Sequence, residues 1–111
     1  MSLRWLWALA LLLAPPAFGA DPRDRGPDSI DVSSYPQKYQ DIYNNVFTVR
    51  CSKCHSLARA INARLKTDEW VLYVKKMKRR PGSGISEANA EKIVEFLKYY
   101  SSEGKEKPAG N

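Results

Sequence analysis

Both cysteines of the chain and its single histidine stand within five consecutive residues, Cys51-Ser52-Lys53-Cys54-His55. Cys-x-x-Cys-His is the attachment signature of a c-type haem. Each thiol can add across one haem vinyl group to form a thioether, and two intervening residues on a helical turn space the sulfurs for both vinyls. The histidine is then brought beneath the iron, where a neutral imidazole nitrogen can ligate it. The motif predicts one haem c per chain, attached through Cys51 and Cys54 and ligated by His55.

Three other uses of the cysteines are compatible with the motif taken alone. A disulfide between Cys51 and Cys54 is possible in an oxidising compartment. A thioredoxin-like redox pair needs a βαβ pattern, and the sequence shows no strand alternation around the motif. A structural zinc site needs four ligands, whereas the chain has two cysteines and one histidine. Haem attachment is the favoured interpretation.

Met77 is the candidate for the second axial ligand of the iron. Apart from Met1 it is the only methionine, and a single histidine excludes bis-histidine ligation within the chain. Thioether sulfur is a natural axial ligand of cytochromes and raises the reduction potential. The alternatives are that Met77 only fills a gap in the core, or that the sixth ligand is Lys76, Lys78 or water, or that the site is open.

Residues 1–19 have the pattern of a cleaved signal peptide. Arg4 precedes an apolar run that ends at Ala14, and Ala17 and Gly19 are the small residues that a cleavage site requires. The apolar run is too short to cross a bilayer comfortably, so we expect no stable membrane span after cleavage. In bacteria, c-type haem is attached outside the cytoplasmic membrane. The signal and the motif therefore support each other, and the predicted location is the periplasm.

The rest of the chain divides into three predicted segments. Residues 20–34 are rich in Asp, Arg, Pro and Gly and are predicted to be a flexible leader. Residues 35–103 form the predicted folded domain, and residues 104–111 a loose polar tail. The formal net charge is +6. For an exported protein, this charge fits an acidic protein partner or an anionic membrane surface better than nucleic acid.

Apolar residues at helical spacing predict an all-α fold with about four short helices. The first helix follows Pro36 and delivers the chain to the cysteine motif. Thr67 and Ser86 are the predicted N-caps of the third and fourth helices. The predicted helices run from Pro36 to Cys51, from Leu57 to Leu65, from Thr67 to Arg80 and from Ser86 to about Gly104.

The order of these features resembles the small single-haem class I cytochromes c of bacteria. The resemblance covers residues 35–103 and rests on the Cys-x-x-Cys-His motif and on Trp70-x-x-x-Val74-x-x-Met77. It implies short helices wrapped around one covalent haem, with His55 and Met77 as the axial ligands and Trp70 among the haem-binding residues. It also implies that the first and last helices cross. That crossing would pack Tyr43, Val46 or Phe47 against Phe96, Leu97 or Tyr100.

One feature departs from the family pattern. Many such cytochromes have a proline about ten residues after the motif, whose carbonyl accepts the ring N–H of the proximal histidine. No proline occurs between Ser56 and Arg80, so another carbonyl must orient His55.

The implied function is soluble one-electron transfer, without enzymatic activity. Acidic donors or acceptors would dock at a basic run near the presumed ligand, although such a run can equally be the solvated end of a helix. The basic residues are Lys75, Lys76, Lys78, Arg79 and Arg80. The alternatives are a haem subunit held permanently by a larger oxidoreductase, and a haem enzyme or gas-binding protein with an open sixth site. The sequence offers no distal histidine for the last of these.

Overall fold

The computed structural model describes residues 21–105, and all regular secondary structure in this range is helical. Helix α1 has three consecutive parts: an α-helical part, Gln37–Ile42, a π-helical turn, Tyr43–Phe47, and a last α-helical turn, Thr48–Cys51. The other helices are α2 (Ala58–Ile61), α3 (Glu69–Lys78) and α4 (Glu87–Tyr100), and a π-helical turn, Ser101–Lys105, continues α4. A short 3₁₀ helix, Pro22–Asp24, precedes them. The all-α class and the four helices are confirmed. The predicted signal peptide and all but the start of the predicted tail lie outside the described residues.

The ends of the helices follow local hydrogen bonding. Ser86 caps α4 as predicted, because its hydroxyl accepts the backbone N–H of Asn89 at 3.1 Å. The predicted N-cap of α3, Thr67, is wrong, since that helix begins at Glu69. The Glu69 carboxylate accepts a hydrogen bond from the backbone N–H of Lys66 at 3.0 Å. This bond stabilises a turn from Lys66 to Glu69 immediately before the helix.

Helices α1 and α4 pack through their aromatic side chains. The ring centroid of Phe96 lies 5.5 Å from that of Tyr43 and 5.3 Å from that of Phe47. One turn nearer the start of α1, Tyr39 stacks on Tyr99 at 4.2 Å. Large aromatic groups contribute most of the apolar area of a small core, so this contact is a main source of stability. The predicted contact between the first and last helices is confirmed.

Helix α3 completes the core beside this pair. Its residues Trp70 and Val74 are buried, as are Ile93 and Leu97 of α4. Within residues 21–105, no helix combines the length and the apolar character that crossing a membrane would require.

The segment 21–34 lies against the domain. Asp24 forms an ion pair with Arg59 of α2 at 2.8 Å. The side-chain amide of Asn62 donates to two carbonyls of the segment, at 3.1 and 2.8 Å. Val32 is buried in the core. The prediction of a flexible leader did not anticipate these contacts, because they depend on partners far along the sequence.

Candidate functional site

One cavity is lined by Cys51, Cys54, His55 and Met77. We call it the apolar cavity, because most of its remaining wall is aliphatic. The aliphatic residues are Ala60, Val74, Ile85, Ile93 and Leu97. Its volume is about 30 Å³, below the range of about 300 to 1,000 Å³ that is typical of cofactor sites, so a haem would bind there only if the surrounding elements moved apart. The structure thus brings the motif and the predicted sixth ligand to the same cavity.

Each wall of the apolar cavity comes from a different element. The last turn of α1 ends at Cys51 and the following turn presents Cys54 and His55, whereas α3 supplies Met77 from elsewhere in the sequence. The loop between α3 and α4 closes one side. In this loop Gly84 has φ +66°, and a β-carbon there would lie 3.2 Å from the ammonium nitrogen of Lys53. The backbone conformation disfavours a side chain at this position, whereas the Lys53 ammonium lies at the end of a flexible side chain and could move aside.

The two cysteines are free thiols, Cys51 half-buried and Cys54 exposed. Burial raises the pKa of the Cys51 thiol to about 12. Reactive Cys-x-x-Cys pairs need the opposite shift, because the thiolate is the nucleophile. This environment disfavours the thioredoxin-like alternative. The zinc alternative also lacks support, since no three His, Cys, Asp or Glu residues in the described part of the chain cluster as metal ligands.

A backbone carbonyl lies in position to orient His55. The Nδ1 atom of its ring is 3.0 Å from the carbonyl oxygen of Ser56. With the proton on Nδ1, the ring donates to this carbonyl and leaves the Nε2 lone pair available for a metal. The Ser56 carbonyl therefore lies where it could accept this proton, in the role for which the sequence offers no proline.

Met77 lies one residue before the end of α3, half-buried and in the wall of the apolar cavity. The two lysines considered as alternative ligands do not line this cavity. Lys78 forms an ion pair with Glu87, and Lys76 is exposed. Among the side chains proposed from sequence as the sixth ligand, the geometry favours Met77.

Trp70 is placed differently from the prediction, because it does not line the apolar cavity. It is fully buried, and its indole N–H donates to the hydroxyl of Ser101 at 2.5 Å. Its ring packs edge-on against Tyr73, with centroids 5.3 Å apart. Positions 73, 74 and 77 of α3 line the cavity, whereas Trp70 lies one turn earlier and contacts the C-terminal extension of α4. The structure assigns Trp70 to the core.

We expect replacement of Trp70 with Phe to lower the free energy of unfolding by about 2 kcal/mol, because ring volume and a buried hydrogen bond are both lost. Urea unfolding followed by circular dichroism would measure the change. The variant Ser101→Ala removes the same hydrogen bond but keeps the indole, and should cost about 1 to 3 kcal/mol. Both variants should leave the absorption bands of a haem-loaded protein unchanged. If Trp70→Phe shifted the haem absorption bands without lowering the free energy of unfolding, Trp70 would be a haem-binding residue, as the family resemblance implies.

Sequence reasoning missed Tyr73. This residue lines the apolar cavity, and its hydroxyl is buried without a hydrogen-bond partner among the described residues. Burial, with a smaller contribution from the nearby Cys51, raises the pKa of the Tyr73 hydroxyl. The only sequence signal was its spacing, three residues after Trp70 and four before Met77, which puts it on the same side of α3 as Met77.

Comparison of the chain with protein-family models, with curated proteins and with solved structures finds no match.

Proposed function

We propose that this protein is an exported one-electron carrier that holds a covalently attached haem c in the apolar cavity. The observation that carries the proposal is the convergence of Cys51, Cys54, His55 and Met77 on one cavity with aliphatic walls. The motif and the methionine belong to separate helices, so their meeting does not follow from sequence proximity. A pair of thiols, an imidazole and a thioether is the donor set of a c-type cytochrome.

The chemical character of the residues that line the apolar cavity fits a haem. Aliphatic walls suit the porphyrin face, and two arginines, Arg50 and Arg80, also line the cavity, where they could face the carboxylates of the group. The buried Tyr73 hydroxyl lacks a partner among the described residues and could donate to a polar group of the ligand. When bound, the haem would supply an iron that exchanges one electron between its ferrous and ferric states.

The residues of the chain have distinct roles in this proposal. Cys51 and Cys54 fix one edge of the group and prevent its loss. The Ser56 carbonyl holds the ring of His55 so that Nε2 can ligate, and Met77 supplies a soft ligand from α3. If His55 and Met77 both hold the group in this way, its iron would have no free position for a substrate. This arrangement favours electron transfer over catalysis.

The proposed partner is an acidic redox protein that docks on the exposed cations of α3 and the residues after it. Lys75, Lys76 and Arg79 are exposed, and Arg80 lies at the edge of the apolar cavity. Lys78 contributes less, because Glu87 neutralises it. Such a surface accelerates encounter with an acidic partner and makes the rate depend on salt.

One observation favours the second candidate function, a haem subunit bound to a larger oxidoreductase. Leu72 is 71% exposed on α3, and its neighbour Val71 is also exposed. Adjacent apolar side chains on a helix that also carries cations suit a longer-lived interface. Copurification of a larger redox protein, lost in Leu72→Ser, would favour this alternative over a free carrier.

The test of the proposed function is an optical spectrum of the protein purified from a host that attaches c-type haem, after extraction with acidified acetone. Sharp bands in the reduced state that survive extraction are expected. The ferric state should also show a weak far-red band from sulfur-to-iron charge transfer. Covalent haem without the far-red band would point to another sixth ligand or an open site. Absence of haem would overturn the proposal and leave the two cysteines as candidates for a disulfide.

A further inference from the structure

The apolar cavity is too small for a haem in the arrangement described. Its volume is about 30 Å³, so at least one of its walls must move before a group of that size can enter. Helices α1 and α4 are joined by aromatic contacts, and α3 packs on α4 and buries Trp70 and Val74. Parting either pair would expose large apolar side chains to water. The remaining helical wall is α2, which contributes Ala60.

Helix α2 is the least firmly held of these walls. It has four residues, fewer than a helix needs to be stable by itself. It buries two alanines and one isoleucine, Ala58, Ala60 and Ile61, so its undocking exposes little apolar area. On the side of the core, the Tyr100 hydroxyl of α4 donates to the carbonyl of Ile61 at 3.0 Å. Such a wall can open at a lower free-energy cost than α3 or α4.

The other side of α2 is held by residues 21–34, which we call the leader. Of the other described helices, only the 3₁₀ helix of the leader, Pro22–Asp24, brings its backbone close to that of α2. The guanidinium of Arg59 donates to both carboxylate oxygens of Asp24, at 2.8 and 2.9 Å. A bidentate, charge-assisted contact of this kind fixes orientation as well as distance. The leader therefore determines where α2 lies.

A second contact encloses the side chain of Asn62, the residue that follows α2. Its amide donates to the carbonyl oxygens of Arg25 and Pro27, at 3.1 and 2.8 Å. Gly26, between these two residues, has φ +96°, and a β-carbon there would lie 3.0 Å from the amide nitrogen of Asn62. The amide cannot withdraw without losing its hydrogen bonds. Glycine permits this contact, and a larger residue would disturb it.

The chain can bend on both sides of this pair of elements. In the leader, residues 28–29 are exposed, whereas Val32 is buried in the core. After α2, Arg64 has φ +54°, a left-handed conformation that residues other than glycine adopt only with strain. The next residue, Leu65, is fixed again, because its carbonyl accepts the hydroxyl of Ser101 at 2.9 Å. Residues 21–29 and α2 can therefore move together while the core stays in place.

We propose that residues 21–29 and α2 form a gate of the apolar cavity, which opens to admit a haem and which the leader holds closed. The identity of the group that enters rests on the proposed function, whereas the control of α2 by the leader does not. Opening moves Ala60 out of the cavity wall and leaves the aromatic contact between α1 and α4 intact. Closing restores the contacts of Asp24 with Arg59 and of Gly26 with Asn62.

Hydrogen exchange of the full-length, haem-free protein, with both thiols reduced, tests whether the leader holds α2. Asp24→Asn weakens the pair with Arg59, and Gly26→Ala displaces the amide of Asn62. Neither substitution changes α2 itself. The backbone N–H groups of Ile61 and Asn62 report on α2, because both donate to carbonyls at its start. We expect each variant to speed their exchange about tenfold and to leave the exchange of α4 unchanged.

Each leader variant has a matched control. Gly82→Ala places a β-carbon at a similar positive φ of +77°, but at this position it would meet no atom within 4 Å. Asp28→Asn removes a carboxylate of the leader that is exposed. Both controls should leave the exchange rates of Ile61 and Asn62 as they are in the unaltered protein.

The addition of ferric haem to the same haem-free proteins tests whether the gate admits the group. Quenching of tryptophan fluorescence follows the association. If only the open state binds, the association rate at a fixed haem concentration is proportional to the population of that state. Asp24→Asn and Gly26→Ala should therefore raise this rate by the same factor by which they speed the exchange of α2.

Several results would overturn the gate. One is equal exchange rates at Ile61 and Asn62 in Gly26→Ala and Gly82→Ala, or no protection of these two groups in the unaltered protein. Another is that the leader variants speed the exchange of α4 by the same factor, because α2 would then not open separately. A third is faster exchange of α2 with no change in haem association. If the unaltered protein neither binds ferric haem nor carries covalent haem, the proposed function fails, and the exchange rates alone decide whether the leader holds α2.

Discussion

Replacing both Cys51 and Cys54 with alanine is expected to abolish covalent haem attachment. Both thiols belong to the cysteine motif that lines the apolar cavity, and the chain contains no other cysteine that could form a thioether. Haem staining of a denaturing gel, together with quantification of haem per chain, would measure the effect. We expect no stained band for the double variant and one haem per chain for the unaltered protein.

The single variants separate the contributions of the two thiols. Each should retain at most one thioether, so haem per chain should fall and the reduced absorption bands should shift. Ser52→Ala is the matched control, because it changes the motif between the cysteines and leaves both thiols in place. Covalent haem in the double variant at the level of this control would contradict the assignment of the attachment site.

The core of the fold could be predicted from the sequence because its signals are local. The helical spacing of apolar residues predicts α1, and the side chain of Ser86 predicts the start of α4. Both signals lie within a few residues of the structure that they predict, and both predictions are confirmed. The contact of Tyr43 and Phe47 with Phe96 followed from the resemblance to a known family. Helix periodicity tells which face is apolar, and a family pattern tells which faces meet.

Other features of the fold depend on tertiary contacts that periodicity does not encode. The π-helical turn Tyr43–Phe47 holds more residues than an α-helical turn, and the 3.6-residue spacing of apolar residues does not predict it. The packing of segment 21–34 rests on Asn62 and Arg59, which are polar and distant in the sequence. Composition alone therefore favoured a flexible segment.

The same distinction applies to the candidate site. Cys51, Cys54, His55 and Met77 could be selected from residue type, since each brings rare chemistry to a short chain. Trp70 was implied by the family resemblance through its spacing to Met77, but it lies about two turns from Met77 and contacts Ser101 instead. Tyr73 could not be selected, because its significance is a buried hydroxyl that has no hydrogen-bond partner among the described residues, in a wall of the apolar cavity.

Replacing Met77 with alanine is expected to leave the haem attached while removing one of its axial ligands. The far-red band of the ferric protein should disappear, because it arises from the bond between sulfur and iron. The reduction potential should fall by on the order of 0.1 V, since a thioether ligand stabilises the ferrous state. Added imidazole should bind the ferric iron of the variant much more tightly than that of the unaltered protein. Optical titration and protein-film voltammetry would measure these changes.

A loss of packing could imitate part of this result, because Met77 is half-buried in the wall of the apolar cavity. Met77→Leu separates the two effects, since leucine fills a similar volume but has no sulfur. Ligation predicts that Leu and Ala behave alike in spectrum, potential and imidazole binding, and differ only in stability. Gap filling predicts that Leu restores the properties of the unaltered protein. Lys76→Ala and Lys78→Ala complete the test. A spectrum that changes in either lysine variant but not in Met77→Leu would mean that the sixth ligand is an amine. The chain would then have to rearrange on haem binding, because neither lysine lines the apolar cavity.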